Sequence, residues 1–311
     1  MPRRVFDALS PRTVGILISA KPTSLHNFTF CANAIRKREL LSRKPVILNA
    51  CEIIPRVTEV PGSTTKNRGT AALVMLATIA VIVVNFLAAT GYINGVMPNE
   101  VSDRYPTVIT PAGWAFSIWS LIYTGLIAFS IYQFLPAKVS RFARVRMPYL
   151  VSCVLNCTWI FFWHRFHTGI CALIIVLFAI SLLWVNFSLE KPLGLAETIL
   201  TKGVFGLYAG WVTVATLVNF VVYTVSAGTD LSTGVWDLIG IVCLAVAMLA
   251  AAAVRGVLRN FVYPLPIAWA AAAIGANQSG NTPIVVAAAI VCIGCLIISG
   301  TVVTELKSTY P

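Results

Sequence analysis

The chain has 311 residues, of which 58% are hydrophobic and only 11% charged, whereas a soluble domain carries roughly a quarter charged residues. That leaves too little polar surface to coat a soluble domain of this size. The net charge of +12 is concentrated in residues 1–69, which hold 12 of the 23 Lys/Arg and 4 of the 11 Asp/Glu. No basic stripe with interleaved aromatics lies on a folded element, so nucleic acid is excluded as a partner.

Residues 1–69 form a basic N-terminal segment without a long apolar run. They are rich in Ser/Thr and Arg/Lys, with Asp7 and Glu39 as the acids before residue 52. A basic, hydroxyl-bearing, acid-poor leader has the character of a transit peptide, and it lacks the apolar core of a secretory signal. The stretch Val46–Cys51 (VILNAC) looks like a chloroplast processing site. The competing reading is an uncleaved polar tail. A plastid membrane follows from the first reading, and another cellular membrane from the second.

Beyond residue 69, apolar stretches near the roughly 20 residues needed to cross a bilayer recur at 70–91, 112–135, 147–163, 169–187, 203–225, 235–254, 261–277 and 284–304. Backbone groups in hydrocarbon must be satisfied within the segment, so these are helices. The expected fold is an all-α membrane protein, a polytopic bundle of about eight transmembrane helices. Alternate loops differ in charge. The set containing Lys138, Arg141, Arg144, Arg146, Arg255 and Arg259 sums to +6, the other set to −2, and the N-terminal segment at +8 falls with the former. The positive-inside rule then places both termini on the cytoplasmic or stromal side.

No Asp, Glu or Lys falls near the middle of any span. Ion-coupled pumps mark their path with such groups, and hydrolytic chemistry needs paired acid–base side chains, so a non-enzymatic role is expected. His164 and His167 flank Arg165 at the end of the third span; they read either as an interfacial anchor cluster or as groups for a haem or a tetrapyrrole carboxylate. The Cys153/Cys157 and Cys292/Cys295 pairs have suggestive spacing, but cysteine in a membrane helix serves as a small packing residue. No metal site is expected.

Aromatic residues carry the functional signal. Phe116, Trp119 and Tyr123 share a face of the second span, with Trp114 at its start. Asn156, Trp159 and Trp163 share a face of the third, and Tyr208, Trp211 and Asn219 one of the fifth. Trp114 and Trp163 suit interfacial anchoring. The deeper indoles need partners in hydrocarbon, which Asn156 and Asn219 can provide. Simple interhelical packing and an aromatic-walled ligand pocket both satisfy this spacing. Trp211, Ala215 and Asn219 are echoed by Trp269, Ala273 and Asn277 in the seventh span. Each trio is a W-x3-A-x3-N pattern with one residue per turn, consistent with a partial internal repeat.

The second-span segment TPAGWAFSIWSLIY (Thr110–Tyr123) resembles the PPGW-x-F-x-x-x-W-x-x-LY start of helix two in the TspO/MBR family, the translocator or tryptophan-rich sensory proteins. Pro148–Trp163 (PYLVSCVLNCTWIFFW) is similar to that family's third-helix motif, and Leu207–Asn219 (LYAGWVTVATLVN) to its fifth. The resemblance covers roughly residues 70–225, and Tyr263–Gln278 also resembles a segment of the family's longer members. It implies a five-helix TspO-like core at 70–225 and a C-terminal three-helix extension at 226–311. It departs from the pattern in three places: residues 92–110 lack the usual Trp, Gly206 or Leu207 stands where the family has Pro, and Tyr223 has no Lys or Arg within five residues.

By that resemblance the chain binds, and translocates or senses, a hydrophobic planar ligand, with a tetrapyrrole as the leading class. Walls would come from Trp119, Trp159, Trp163 and Trp211, with Phe116 and Tyr208 beside them. Trp114 and Tyr123 would form the mouth, and Asn156 and Asn219 would fix polar groups. No cofactor is required; porphyrin or haem enters as ligand. The expected partners are the lipid bilayer and the hydrophobic ligand, with a homodimer left open. The alternatives are a facilitative carrier of a small metabolite or lipid, and a ligand-free assembly protein of an organelle membrane.

Overall fold

The computed structural model describes residues 61–301. Of the N-terminal segment 1–69, read from sequence as a transit peptide, residues 1–60 lie outside the described residues, as does the end of the eighth span beyond 301, whereas residues 61–69 already belong to the first helix. Every predicted apolar stretch contains a helix: α1 (Pro61–Ala89), α3 (Ile118–Tyr132), α4 (Ala143–Trp163), α5 (Thr168–Ser188), α7 (Val204–Ser226), α8 (Thr233–Leu258), α9 (Pro264–Asn277) and α10 (Thr282–Gly300). Two short helices lie between them, α2 (Pro98–Arg104) and α6 (Leu195–Thr198). A 3-10 turn, Gly113–Ser117, leads into α3, and a π-turn, Ile199–Gly203, makes α6 and α7 continuous.

Seven helical segments among the described residues are long and apolar enough to cross a membrane. The protein is therefore an integral, multi-pass membrane protein. Exposed large apolar side chains recur along these helices, for example Leu76, Phe86, Leu121, Leu173, Phe187, Leu249 and Ile293, as a lipid-facing surface requires.

The seventh expected span, 261–277, is the one that differs. α9 has 14 residues, about 21 Å at 1.5 Å per residue, against a hydrocarbon core of about 30 Å. Two features make up the shortfall. Residues 107–112 fold inward to meet the C-terminal end of α9, with Thr107, Ile109 and Thr110 buried. The helix itself is shielded by α7, α8 and α10. Irregular backbone at membrane depth is tolerated where protein covers it.

The helices α1, α4, α5, α7 and α3 pack in that order and close into a ring, since α3 touches both α7 and α1. The extension joins at α7, with α9 against α7 and α10 and α8 covering both. The seam is set by two glycines one turn apart. A Cβ on Gly210 would collide with the Tyr263 carbonyl oxygen, and one on Gly206 would stand 2.6 Å from Asn260 Oδ1. Small residues at this spacing let helices approach closely.

Buried polar groups stitch the ring. Thr78 Oγ1 lies 2.7 Å from both Ser130 Oγ and Tyr149 Oη, tying α1, α3 and α4. Arg146, counted from sequence as a loop charge, is on α4 and buried. Its guanidinium donates to Gln133 Oε1 (3.0 Å), the Asn67 carbonyl (2.9 Å), Thr70 Oγ1 (3.1 Å) and the Val139 carbonyl. At the same face Glu197, nearly fully buried, accepts from Lys138 at 2.9 Å and Arg141 at 2.6 Å. Lys202 Nζ donates to the Arg259 carbonyl at 3.0 Å. At the other face, Asn94 donates to the His164 carbonyl and Gln278 to the Thr107 carbonyl. The loops thus gather alternately on two faces, and α9 runs between them despite its length.

Candidate functional site

The ring is tight at the basic face and open toward the other. α1 and α3 are held together at Thr78–Ser130 and by Gln133 Nε2 donating to the Ala71 carbonyl at 3.4 Å. Beyond that tie they diverge around a cavity of about 380 Å³, within the range of small-molecule sites. α1 contributes Ile82, Asn85, Phe86 and Ala89. The start of α2 covers it with Met97, Pro98 and Asn99, and Phe116, Trp119, Ser120 and Tyr123 line the α3 side. Trp159 and Ile160 of α4 complete it. Phe86, Ala89, Met97 and Ser120 are exposed, so the cavity opens to the surface between α1 and α3. No lining side chain carries a charge.

Of the ten residues singled out from sequence, Phe116, Trp119, Tyr123 and Trp159 line the cavity. Others back them. Trp119 stacks on Tyr123 (centroids 5.3 Å, 24°) and meets Tyr208 and Trp211 edge-on at 6.3 and 6.1 Å. Phe116 also meets Trp211 edge-on. Trp159 stacks on Trp163 (5.1 Å, 19°), and its indole N–H donates to Asn219 Oδ1 at 3.1 Å. Asn156 accepts from Asn85 Nδ2 at 2.7 Å and donates to Tyr208 Oη at 3.0 Å. This chain of amides and phenol joins α1, α4 and α7 below the cavity. Asn156 and Asn219 thus act on other side chains and do not line the space themselves. The Tyr123 hydroxyl and the Trp211 indole N–H are buried without a hydrogen-bond partner.

Two residues expected in the pocket have other settings. Trp163 is not in the wall; its indole N–H donates to the Pro98 carbonyl at 3.1 Å and pins the start of α2. Trp114 is not at the mouth. It lies edge-on to Trp269 of α9, centroids 4.7 Å apart, so it joins ring to extension. The His cluster also falls apart as a unit. His164 is buried with Nδ1 2.8 Å from the Ile160 carbonyl, and burial lowers its pKa. Arg165 instead stacks over Phe161 at 4.1 Å. Among the described residues, no group of His, Cys, Asp or Glu has the arrangement of a metal site.

Sequence reasoning missed the α1 wall and the α2 cover. Asn85, the only amide within the first apolar run, was the available signal, because an amide in hydrocarbon needs a partner. The cover residues Met97, Pro98 and Asn99 gave no comparable signal, since their placement follows from the chain folding back.

Ring, cavity and lipid-facing surface define a helical membrane protein built around an aromatic-walled internal space. A family model described as TSPO-like protein matches residues 71–302, and the chain belongs to that family. The match takes in α8, α9 and α10 as well as the ring. No curated protein and no solved structure matches the chain.

Proposed function

We propose that this TspO-class membrane protein binds a flat hydrophobic ligand in the cavity between α1 and α3, as a binding protein rather than an enzyme. The observation that carries this reading is the cavity itself: about 380 Å³, walled by Phe116, Trp119, Tyr123 and Trp159. Aromatic faces contribute stacking, and a few polar groups set orientation. The free Tyr123 hydroxyl supplies such a group, and Asn85 supplies another at the base of the lining. The opening between α1 and α3 suits a ligand that partitions into the bilayer before it binds. A tetrapyrrole, porphyrin or haem, is the class suggested by the family resemblance.

The uncharged lining favours a second reading of the ligand. A macrocycle bearing carboxylates would have to leave them outside, whereas a neutral planar molecule enters without that penalty. Titration of the detergent-purified protein with protoporphyrin IX and with its dimethyl ester, followed by Trp fluorescence quenching, separates the two. Tighter binding of the ester identifies a neutral ligand class. Unchanged affinity in a Trp119→Leu/Trp211→Leu variant removes the cavity as the site.

The basic, acid-poor leader and the loop charges support a plastid membrane with both termini on the stromal side. N-terminal sequencing of the mature protein tests the first point; an intact Met1 or Pro2 rules out a cleaved leader.

A further inference from the structure

The segment from Thr107 to Ala115 has the start of α2 on one side of it in the chain and Phe116 and Trp119 on the other, so it links the cover of the cavity to its α3 wall. Thr107, Ile109, Thr110, Pro111 and Ala115 of this segment are buried, so the backbone groups there need partners from the protein. Four hydrogen bonds join it to one face of α9 and the residue that follows. Trp269 Nε1 donates to the Ala115 carbonyl at 3.0 Å, and the Ala112 N–H donates to the Ala273 carbonyl at 3.1 Å. Asn277 Nδ2 donates to the Thr110 carbonyl at 3.1 Å, and Gln278 Nε2 to the Thr107 carbonyl at 3.0 Å. The edge-on Trp114–Trp269 contact closes the same clasp.

Three of these positions are the W-x3-A-x3-N trio of α9. The equivalent trio on α7 does something different. There Asn219 bonds Trp159, while the indole N–H of Trp211 has no partner. The pattern on α9 is therefore spent entirely on the lead-in to α3. The far end of the cover is held by the ring, through Trp163 to the Pro98 carbonyl.

We infer that Trp269, Asn277 and Gln278 are positioning residues for the cavity, and that the extension sets ligand affinity by holding the Thr107–Ala115 segment without touching the ligand. This rests on the cavity being the binding site. The physical basis is preorganisation: a wall already fixed in its bound place loses less entropy when the ligand arrives.

The test uses the full-length protein in lipid nanodiscs with the variants Trp269→Phe, which keeps the ring and loses the N–H, and Trp269→Phe/Asn277→Leu. Ser299→Ala serves as control, because it breaks a hydrogen bond to the Phe261 carbonyl within the extension but outside the clasp. Two readouts are taken: amide hydrogen exchange over residues 98–116 without ligand, and protoporphyrin IX affinity by fluorescence quenching. In the double variant, exchange over 98–116 is expected to rise while α4 and α5 stay protected. Affinity should fall about tenfold, as loss of two hydrogen bonds implies. The control should match the wild type in both. Unchanged exchange overturns the inference, as does retained affinity despite faster exchange, or a control that loses as much as the double variant. If the wild type binds no protoporphyrin, the porphyrin reading of the cavity fails by itself, and the exchange readout alone decides whether the clasp holds the segment.

Discussion

Asn85 of α1 donates its amide N–H to Oδ1 of Asn156 on α4 across 2.7 Å, directly beneath the aromatic cavity. Asn156 passes the connection on to Tyr208 of α7. Replacing Asn156 by Leu leaves the Tyr208 hydroxyl without its donor and costs Asn85 its interhelical partner. Interhelical hydrogen bonds in membranes contribute roughly 0.6–2 kcal/mol each, so a loss of about 1–3 kcal/mol is expected. Unfolding in mixed micelles measures it, and Asn85→Leu should lose less, since it breaks one interhelical hydrogen bond where Asn156→Leu breaks two.

Gly210→Ala places a methyl group against the Tyr263 carbonyl and the Pro266 ring. Backbone cannot yield as a flexible side chain does, so a loss of about 1–3 kcal/mol is expected from overpacking. Gly275→Ala, whose Cβ would meet Ala288 at an ordinary 3.4 Å, serves as comparison. The two melting temperatures in detergent should differ by several degrees.

Much of this fold is legible in the sequence, for a simple reason. A lipid-spanning helix must be continuously apolar, so each expected stretch holds a helix, and seven helical segments have spanning length. The short α9 was not legible. Apolar residues at 261–277 look the same whether they face lipid or a protein interior. Trp114 and Trp119 lie five residues apart and were assigned from sequence to one pocket, as mouth and wall, yet one meets the extension and the other the cavity. Which helix borders which is a property of ring closure, and spacing along one helix does not encode it. Arg146 misled for a related reason. It was counted as a loop charge, but four hydrogen bonds from its guanidinium go to Gln133, Asn67, Thr70 and Val139.

The bridge at the basic face has a definite pH dependence. The hydrogen bond to Glu197 holds the Lys138 ammonium above its ordinary 10.5. A raised lysine pKa contributes stability fully below the ordinary value, and that contribution fades as pH rises through the raised one. Glu197→Gln should therefore lower the melting temperature at pH 7–9. The gap to the wild type should narrow in strongly alkaline buffer, as a melting series across pH would show.

His164 gives the opposite sign. It is buried at the end of α4, and burial lowers its pKa below the ordinary 6.5. A depressed histidine contributes stability above the unfolded value, which is lost as pH falls below it toward the folded one. Acidification from pH 7.5 to 5 should lower the melting temperature of the wild type more than that of His164→Gln. Equal slopes would mean the imidazole titrates normally in the folded protein.

The tie between Thr78 and Ser130 has a mechanical consequence. From Thr78 to Ala89 the helix α1 runs about 16 Å, so a rotation of about 5° at the tie carries Ala89 sideways by about 1.4 Å. Two helices fastened at one end work like a compass, with large travel at the points and almost none at the pivot. Any such swing displaces Asn85 as well, so its 2.7 Å hydrogen bond to Asn156 on α4 resists a change in the width of the cavity.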